Sequence, residues 1–248
     1  MTGIMEKYSW PAGRSAAVSF SFDDARLNQI DRGLEILSRH GVRATFYVSL
    51  PALEQRLPGW RNAVRAGHEI GNHSLTHPCS GNYPFAHDNP LEEMTLEDMR
   101  RELDEASRRI EALLGVRPVT FAYPCGSAFV GRGRGTQSYV PLIAERFLAG
   151  RGYLNGQTND PRRCDLSQLV SVGLDRAPQR YARDLIETVL DEGSWLVITA
   201  HDIGAGDKDG LSVDVDALEA LLRLASERGL WIGTVAEVAR HVAETRPT

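Results

Sequence analysis

Two adjacent carboxylates, Asp23 and Asp24, end the apolar run Val18-Ser-Phe-Ser-Phe22. Two charges at the end of a buried strand cost desolvation energy unless a cation pairs with them. Neighbouring residues on a strand point to opposite faces, so one carboxylate can bind a metal while the other stays free as a base. His73-Ser-Leu-Thr-His77 adds two imidazoles at i and i+4, which one helical turn would present to a single ion. Together they predict a site of Asp24, His73 and His77 with open positions for water and substrate, able to polarise a carbonyl and activate water. Taken singly, an Asp-Asp pair is more often a surface turn, and H-x-x-x-H more often a solvated or core pair. It is the coincidence of both just after strands that favours a metal site.

His201 follows Trp195-Leu-Val-Ile-Thr-Ala200, a run too apolar for the surface. One reading is a structural core histidine. The other is a general acid, because amide or ester hydrolysis needs a proton donor for the leaving group as well as a base for water. Asp175 is a candidate partner for its imidazole, with an ordinary loop carboxylate as the competing reading.

These residues need elements to hold them. Apolar periodicity alternates between about 2 and about 3.6, the pattern of repeated strand and helix units. Strands are expected over 16–22, 42–48, 68–71, 119–122, 152–154, 169–172, 195–199 and 230–233. Leu27, Ile30, Leu34 and Leu37 form a helical stripe stopped by Gly41, and a small helix over 60–66 stops at Gly67. The clearest helix opens at Thr95, where Thr95 and Asp98 suit a capping box ahead of Met99, Leu103, Ala106, Ile110 and Leu113. About seven strand-helix repeats imply an α/β fold with a parallel sheet, either a closed barrel or an open doubly wound sheet. In a barrel Asp23, Asp24, His73, His77, Tyr123 to Gly126, Asp175 and His201, all just after strands, meet at one face. Two long segments, 79–94 and 127–141, break the rhythm and are expected to be functional loops.

The chain has 248 residues, 42% hydrophobic and 25% charged, which suits one large core and a single domain over 1–248. A net charge of -5 and a pI near 5.8 argue against a nucleic-acid surface. Cys79, Cys125 and Cys164 show no C-x-x-C spacing, so free thiols are expected rather than a disulfide framework or a cysteine zinc site. The N-terminus lacks a signal-type apolar stretch and no run is long enough to span a membrane. A cytoplasmic location is therefore expected, or secretion if a leader precedes the sequence. Oligomeric state is not legible.

From Ser15 to about Val242 the chain resembles the polysaccharide deacetylases of the NodB-homology type, carbohydrate esterase family 4. Ser21-Phe22-Asp23-Asp24 looks like the family's T-F-D-D motif, in which the first Asp is the base and the second a metal ligand. His73-Ser-Leu-Thr-His77 matches its H-[ST]-x-x-H metal motif, and Val42-Arg-Ala-Thr-Phe46 is similar to the stretch between them. Phe121-Ala-Tyr-Pro-Cys-Gly126 resembles the substrate-groove motif, implying contacts from Tyr123, Pro124, Cys125 and Gly126, with the Cys125 N–H on the oxyanion. Ile198-Thr-Ala-His201 corresponds to L-x-x-H, which implies His201 as acid and Ile198 as an apolar wall for the acetyl methyl.

The resemblance implies a distorted (β/α) barrel of the TIM type, a divalent metal (zinc first, with cobalt, nickel or manganese as alternatives) and removal of acetyl groups from an N- or O-acetylated sugar or oligosaccharide. Ala122 stands where many members carry an Arg that pairs with the base, leaving Arg151 or Arg134 as substitutes, with Arg151 also counted among the groove residues. Asp175-Arg176 stands near the place of a D-W motif without its Trp. Two alternatives stay open: an amidase or deformylase acting on a different substrate, and a non-catalytic sugar-binding protein on the same scaffold. An iron oxygenase also uses two His and a carboxylate, but its ligands usually sit on antiparallel sheets.

Overall fold

The computed structural model describes residues 8–153, 156–177, 179–204 and 210–246. The first strand, β1 (Ala17–Asp23), is buried along its whole length. Val18, Phe20 and Phe22 enter the main hydrophobic core. On the other face, Ser19 accepts from the Trp195 indole at 3.0 Å and Ser21 donates to the Ile198 carbonyl at 2.6 Å. The alternation in this strand thus separates an outer apolar face from an inward face that carries Ser19, Ser21 and Asp23, both dry.

Seven strands run parallel in the spatial order β5 (Ala149–Arg151), β4 (Thr120–Ala122), β3 (Glu69–Asn72), β2 (Thr45–Val48), β1, β7 (Trp195–Ala200), β6 (Val172–Gly173); β8 (Trp231–Ile232) also pairs with β1. The sheet curls until its ends meet, because Leu169, just ahead of β6, forms a parallel bridge with Arg151 and exchanges hydrogen bonds of 2.8 Å with Gly150 and Gly152. This is the distorted (β/α) barrel that the resemblance implied. The helices are α1 (Leu34–Arg39), α2 (Leu50–Gln55), α3 (Leu57–Arg65), α4 (Leu96–Leu114), α5 (Val140–Arg146), α6 (Gln179–Glu192), α7 (Val215–Glu227) and α8 (Val235–Thr245). No helix among the described residues is long and apolar enough to cross a membrane.

Helix α4 starts as its sequence predicts: the Thr95 hydroxyl accepts from the Asp98 N–H, and the Asp98 carboxylate accepts from the Thr95 N–H. Its buried face carries Met99, Leu103, Ala106 and Ile110. The strand expected at 152–154 lies three residues earlier, at Ala149–Arg151; Gly152 and Tyr153 follow it, and Leu154 lies outside the described residues. Ala-Gly-Arg carries no apolar alternation, so register rather than composition makes it a strand. The strand expected at 169–172 shortens to a single bridge at Leu169 and β6.

The N-terminal end of the barrel is closed by α8. Its Val235 N–H donates to the Thr45 hydroxyl at 2.9 Å and its Ala236 N–H to Glu69 at 2.8 Å. The Glu69 carboxylate also accepts from Thr45 at 2.8 Å and from Thr120. A carboxylate at a helix N-terminus is favoured by the dipole and the unpaired N–H groups there. Burial still pushes its pKa up, against those hydrogen bonds.

Candidate functional site

At the opposite, C-terminal end of the strands, the chain leaves β1 through a left-handed turn at Asp24 (φ 72°) and Ala25 (φ 55°). That turn aims the Asp24 carboxylate at the loop after β3. Its Oδ1 lies 3.6 Å from His73 Nε2 and 3.7 Å from His77 Nε2. Ligand atoms on bonds of about 2.1 Å at tetrahedral angles stand about 3.4 Å apart. The three side chains therefore fit one divalent cation with little movement, and their N/O donor set suits zinc and its first-row neighbours.

The two histidines converge without the expected helical turn. Residues 73–78 form an irregular loop with Ser74 (φ 63°) and His77 (φ 54°) left-handed. Contacts from within the loop and from α4 replace the helix. Asn72 Oδ1 accepts from the Ser74 N–H at 2.7 Å, while its amide donates to the Leu103 carbonyl and the Ser107 hydroxyl. Glu102 accepts from the Leu75 and Thr76 N–H groups at 3.0 and 2.8 Å. Neither Asn72 nor Glu102 was marked by the sequence, although Glu102 stands beside the apolar stripe of α4 and is buried with it.

His73 Nδ1 is 2.9 Å from the Ala122 carbonyl, which can only accept, so Nδ1 carries the proton and Nε2 presents a lone pair. Burial holds the His73 pKa down to about 4, keeping the ring neutral as a ligand must be. Burial raises the Asp24 pKa, but His73, His77, His201 and Arg26 together outweigh it and hold the carboxyl below its ordinary range. Arg26 takes the other oxygen, with Nη2 3.2 Å from Oδ2.

Asp23, only 2% exposed, forms an ion pair with the fully buried Arg151. Strand register explains the source of this cation: Ala122, where an Arg is missing, pairs directly with Arg151 on β5. The guanidinium therefore reaches Asp23 from the next strand over. It sits 4.9 Å above the Tyr47 ring and donates to the Gly152 carbonyl at 2.9 Å. Arg134 lies exposed in a 3-10 turn and has no such role. Arg151, buried behind Asp23, is a support for that residue rather than a groove contact. Asp23 itself still lines the cavity described below.

His201 Nδ1 lies 2.6 Å from Asp175 Oδ2, and the His201 N–H donates to Asp175 Oδ1 at 3.1 Å. Burial lowers the His201 pKa, but Asp175, Asp23 and Asp24 more than reverse this and raise it overall. Gln29, another residue without a sequence signal, donates one amide to the carbonyls of Asp23 (2.6 Å) and His201 (2.7 Å). It ties the ends of β1 and β7 together from a π-helical turn (Gln29–Gly33), a bulge of the kind common at functional sites.

In the loop after β4, Cys125 (φ 53°) and Gly126 (φ 69°) are left-handed, and a Cβ on Gly126 would meet the Tyr153 backbone at 3.1 Å. The expectation of free thiols is overturned for two of the three cysteines: Cys79 and Cys125 form a disulfide. It joins the ligand loop to the groove loop across a separation of 46 residues, which no short spacing could reveal. Cys164 is free. Tyr123 lines the cavity and bonds the Ser167 carbonyl at 2.7 Å; Pro124 is buried beside it. Ile198 belongs to the main core and does not line the cavity, because it shares the outward face of β7 with Leu196.

Asp23, Asp24, His73, His77, Cys125 and His201 face one cavity of about 570 Å3. A roomier groove of about 850 Å3 beside α4 is lined by charged side chains such as Glu105 and Arg108, already paired with each other, and holds none of these residues.

Residues 12–132 match the family model described as polysaccharide deacetylase. This part of the chain belongs to the polysaccharide deacetylase family. The match takes in Asp23, Asp24, His73, His77 and Cys125 and stops short of Arg151, Asp175 and His201, whose places rest on geometry. The chain is 32% identical over 98 residues to the uncharacterized protein YlxY of Bacillus subtilis (strain 168), covering 40% of this chain and 27% of that one. It thus spans about a quarter of that relative's length. Among solved structures, a Mycobacterium smegmatis protein assigned to the polysaccharide deacetylases superposes with a TM-score of 0.70 at 19% identity, over 97% of this chain and 95% of that one. Puue allantoinase also superposes with a TM-score of 0.70, at 17% identity over 96% and 94% of the two chains. At such identities the likeness shows the fold alone.

Proposed function

We propose that this chain is a divalent-metal-dependent hydrolase that removes acetyl groups from an N- or O-acetylated carbohydrate. The observation that carries this reading is Asp24 Oδ1 set against two imidazole nitrogens at 3.6 and 3.7 Å, beside a second carboxylate held by a buried arginine. A cation held by Asp24, His73 and His77 would supply Lewis acidity to the acyl oxygen and lower the pKa of water at the site.

The chain's own residues do the rest. Asp23 takes the proton from the attacking water, and Arg151 fixes its carboxylate while shielding it from alternative rotamers. The Cys125 N–H donates to the oxygen that gains charge in the tetrahedral transition state, usually the largest single contribution in acyl transfer. His201, with its Nδ1–H on Asp175, keeps Nε2 free to protonate the departing amine or alcohol.

Acetate release from a panel of acetylated saccharides, run beside small cyclic amides and formylated compounds, tests this reading together with metal analysis of the purified protein. Acetate from at least one saccharide is expected, abolished by chelation and restored by zinc, cobalt, nickel or manganese. Turnover of only an amide or a formyl compound, or sugar binding without turnover under every metal, would overturn it. On location, disulfides persist in oxidising surroundings, so Cys79–Cys125 weighs against the cytoplasmic expectation; thiol counting on protein taken directly from its native cells decides.

A further inference from the structure

The segment 79–94, which broke the rhythm of the sequence, begins at a sulfur that meets the candidate cation site from behind. His77 Nε2 faces Asp24, and on the other side of the same ring Nδ1 lies 3.7 Å from Cys79 Sγ. His73 sets its Nδ1 against a carbonyl oxygen; His77 has a disulfide sulfur in that place. A sulfur and an imidazole nitrogen bound to one zinc at tetrahedral angles stand about 3.6 Å apart. A ligand atom of His77 and the sulfurs of Cys79 and Cys125 all lie within 4.8 Å of one another.

While the two sulfurs are bonded to each other they are poor ligands, because a cation binds the thiolate. A dithiol reductant changes that. Cys125 is half-buried and lines the cavity of about 570 Å3, whereas Cys79 is fully buried. Attack therefore falls on Cys125 Sγ: the incoming thiolate bonds to it, the S–S bond breaks, and the electron pair leaves on Cys79 Sγ. With a cation on Nε2, His77 Nδ1 carries a proton, and that N–H is placed to hydrogen-bond the new charge. The reductant's second thiol then displaces Cys125, so that both electrons and both protons of the dithiol end on the protein and the reductant leaves as its own disulfide.

Neither sulfur is set adrift by this exchange. Cys79 stays fastened at the loop neck, where the Leu91 N–H donates to the Cys79 carbonyl at 2.9 Å and Glu92 accepts from the Gly81 N–H at 2.8 Å and the Ser80 hydroxyl at 2.6 Å. Cys125 stays in its turn, where the Gly126 N–H donates to the Tyr123 carbonyl at 2.9 Å and the Ser127 N–H to the Pro124 carbonyl at 3.0 Å. Two thiolates and an imidazole held in this way are a donor set for zinc or a softer cation.

We propose that reduction of Cys79–Cys125 opens a second cation site, made of both Sγ atoms and His77 Nδ1, which takes zinc or a softer cation at the expense of the site at Asp24, His73 and His77. The two sites share His77 and exclude each other. To bind through Nδ1 the ring gives up the cation on Nε2 and takes its proton there, while the two thiol protons pass to water. The new site stands on the sulfur geometry; only its consequence, loss of hydrolysis on reduction, rests on the deacetylase reading.

X-ray absorption at the zinc edge tests it on the zinc-loaded wild-type protein, oxidised and then reduced with dithiothreitol that is removed without air. The oxidised protein should show nitrogen and oxygen neighbours alone, and the reduced protein two sulfurs at about 2.3 Å. Zinc should also protect Cys79 and Cys125 of the reduced protein from iodoacetamide, read residue by residue by peptide mass. Sulfur at the metal before reduction, fewer than two sulfurs after it, or zinc that leaves either cysteine open to the reagent would overturn the proposal. So would a disulfide that dithiothreitol leaves closed, or loss of the folded chain's far-ultraviolet dichroism on reduction. Acetate release should fall to background in the reduced, zinc-loaded protein and return on re-oxidation; full release beside two bound sulfurs overturns the exclusion and the proposal with it. Two sulfurs on reduction with no acetate in either state would leave this site standing and remove the deacetylase reading; acetate release with no sulfur at the metal in either state would do the reverse.

Discussion

The two ends of the barrel both hold buried or half-buried carboxylates, and they treat them differently. At the closed end Glu69 is surrounded by donors: the Thr45 and Thr120 hydroxyls and the Ala236 N–H. At the open end Asp24 Oδ1 faces His73 Nε2, whose lone pair also points inward because the ring's proton is spent on the Ala122 carbonyl. An acceptor facing an acceptor is repulsive unless a cation stands between them. Satisfied polar groups build a scaffold; convergent acceptors mark the proposed cation site.

Substitutions at the two ends should therefore separate activity from stability. Asp24→Ala is expected to have the largest effect: bound metal and acetate release both fall to background while the melting temperature of the metal-free protein moves little. Retention of a full equivalent of metal would break the contrast. Asp23→Asn should keep the metal and lower kcat by about 10²–10⁴, the range for a lost general base. At the closed end, Glu69→Ala strands several buried donors and should cost roughly 3–5 kcal/mol in urea denaturation, with metal stoichiometry unchanged in the folded fraction.

The loop braces lie between these extremes. Cys79→Ser opens a cross-link spanning 46 residues, for which chain entropy suggests a loss of about 3–4 kcal/mol. A melting curve insensitive to this change would mean that the hydrogen bonds at the loop neck suffice. The smallest effect concerns pH. His201 titrates above its ordinary value of 6.5 in the folded chain. Its pairing with Asp175 thus stabilises the fold fully below that value, and the contribution is lost as pH rises through the raised pKa. The alkaline limb of the rate profile should report the same proton. Asp175→Asn should move that limb to lower pH; an unmoved limb would assign it to another group.

How much was legible follows the range of each interaction. The capping box at Thr95 and the buried stripe of α4 involve residues three or four apart, and both stand as the sequence predicts. The i, i+4 spacing of His73 and His77 correctly brought them together but for the wrong reason, because Asn72 and Glu102 rather than a helical turn shape that loop. Ile198 followed a motif position into the core instead of the cavity, since strand alternation turns it outward.

By itself, then, the sequence determined that Asp23, Asp24, His73, His77 and His201 stand at or just beyond the ends of strands, because alternation, caps and turn residues are local and leave local marks. Only the tertiary structure decided that Arg151 serves in place of the arginine absent at Ala122, that Cys79 reaches Cys125, and that Gln29 ties β1 to β7. Each of these depends on how strands far apart in the chain come into register around a closed barrel, and short-range patterns carry no record of that register.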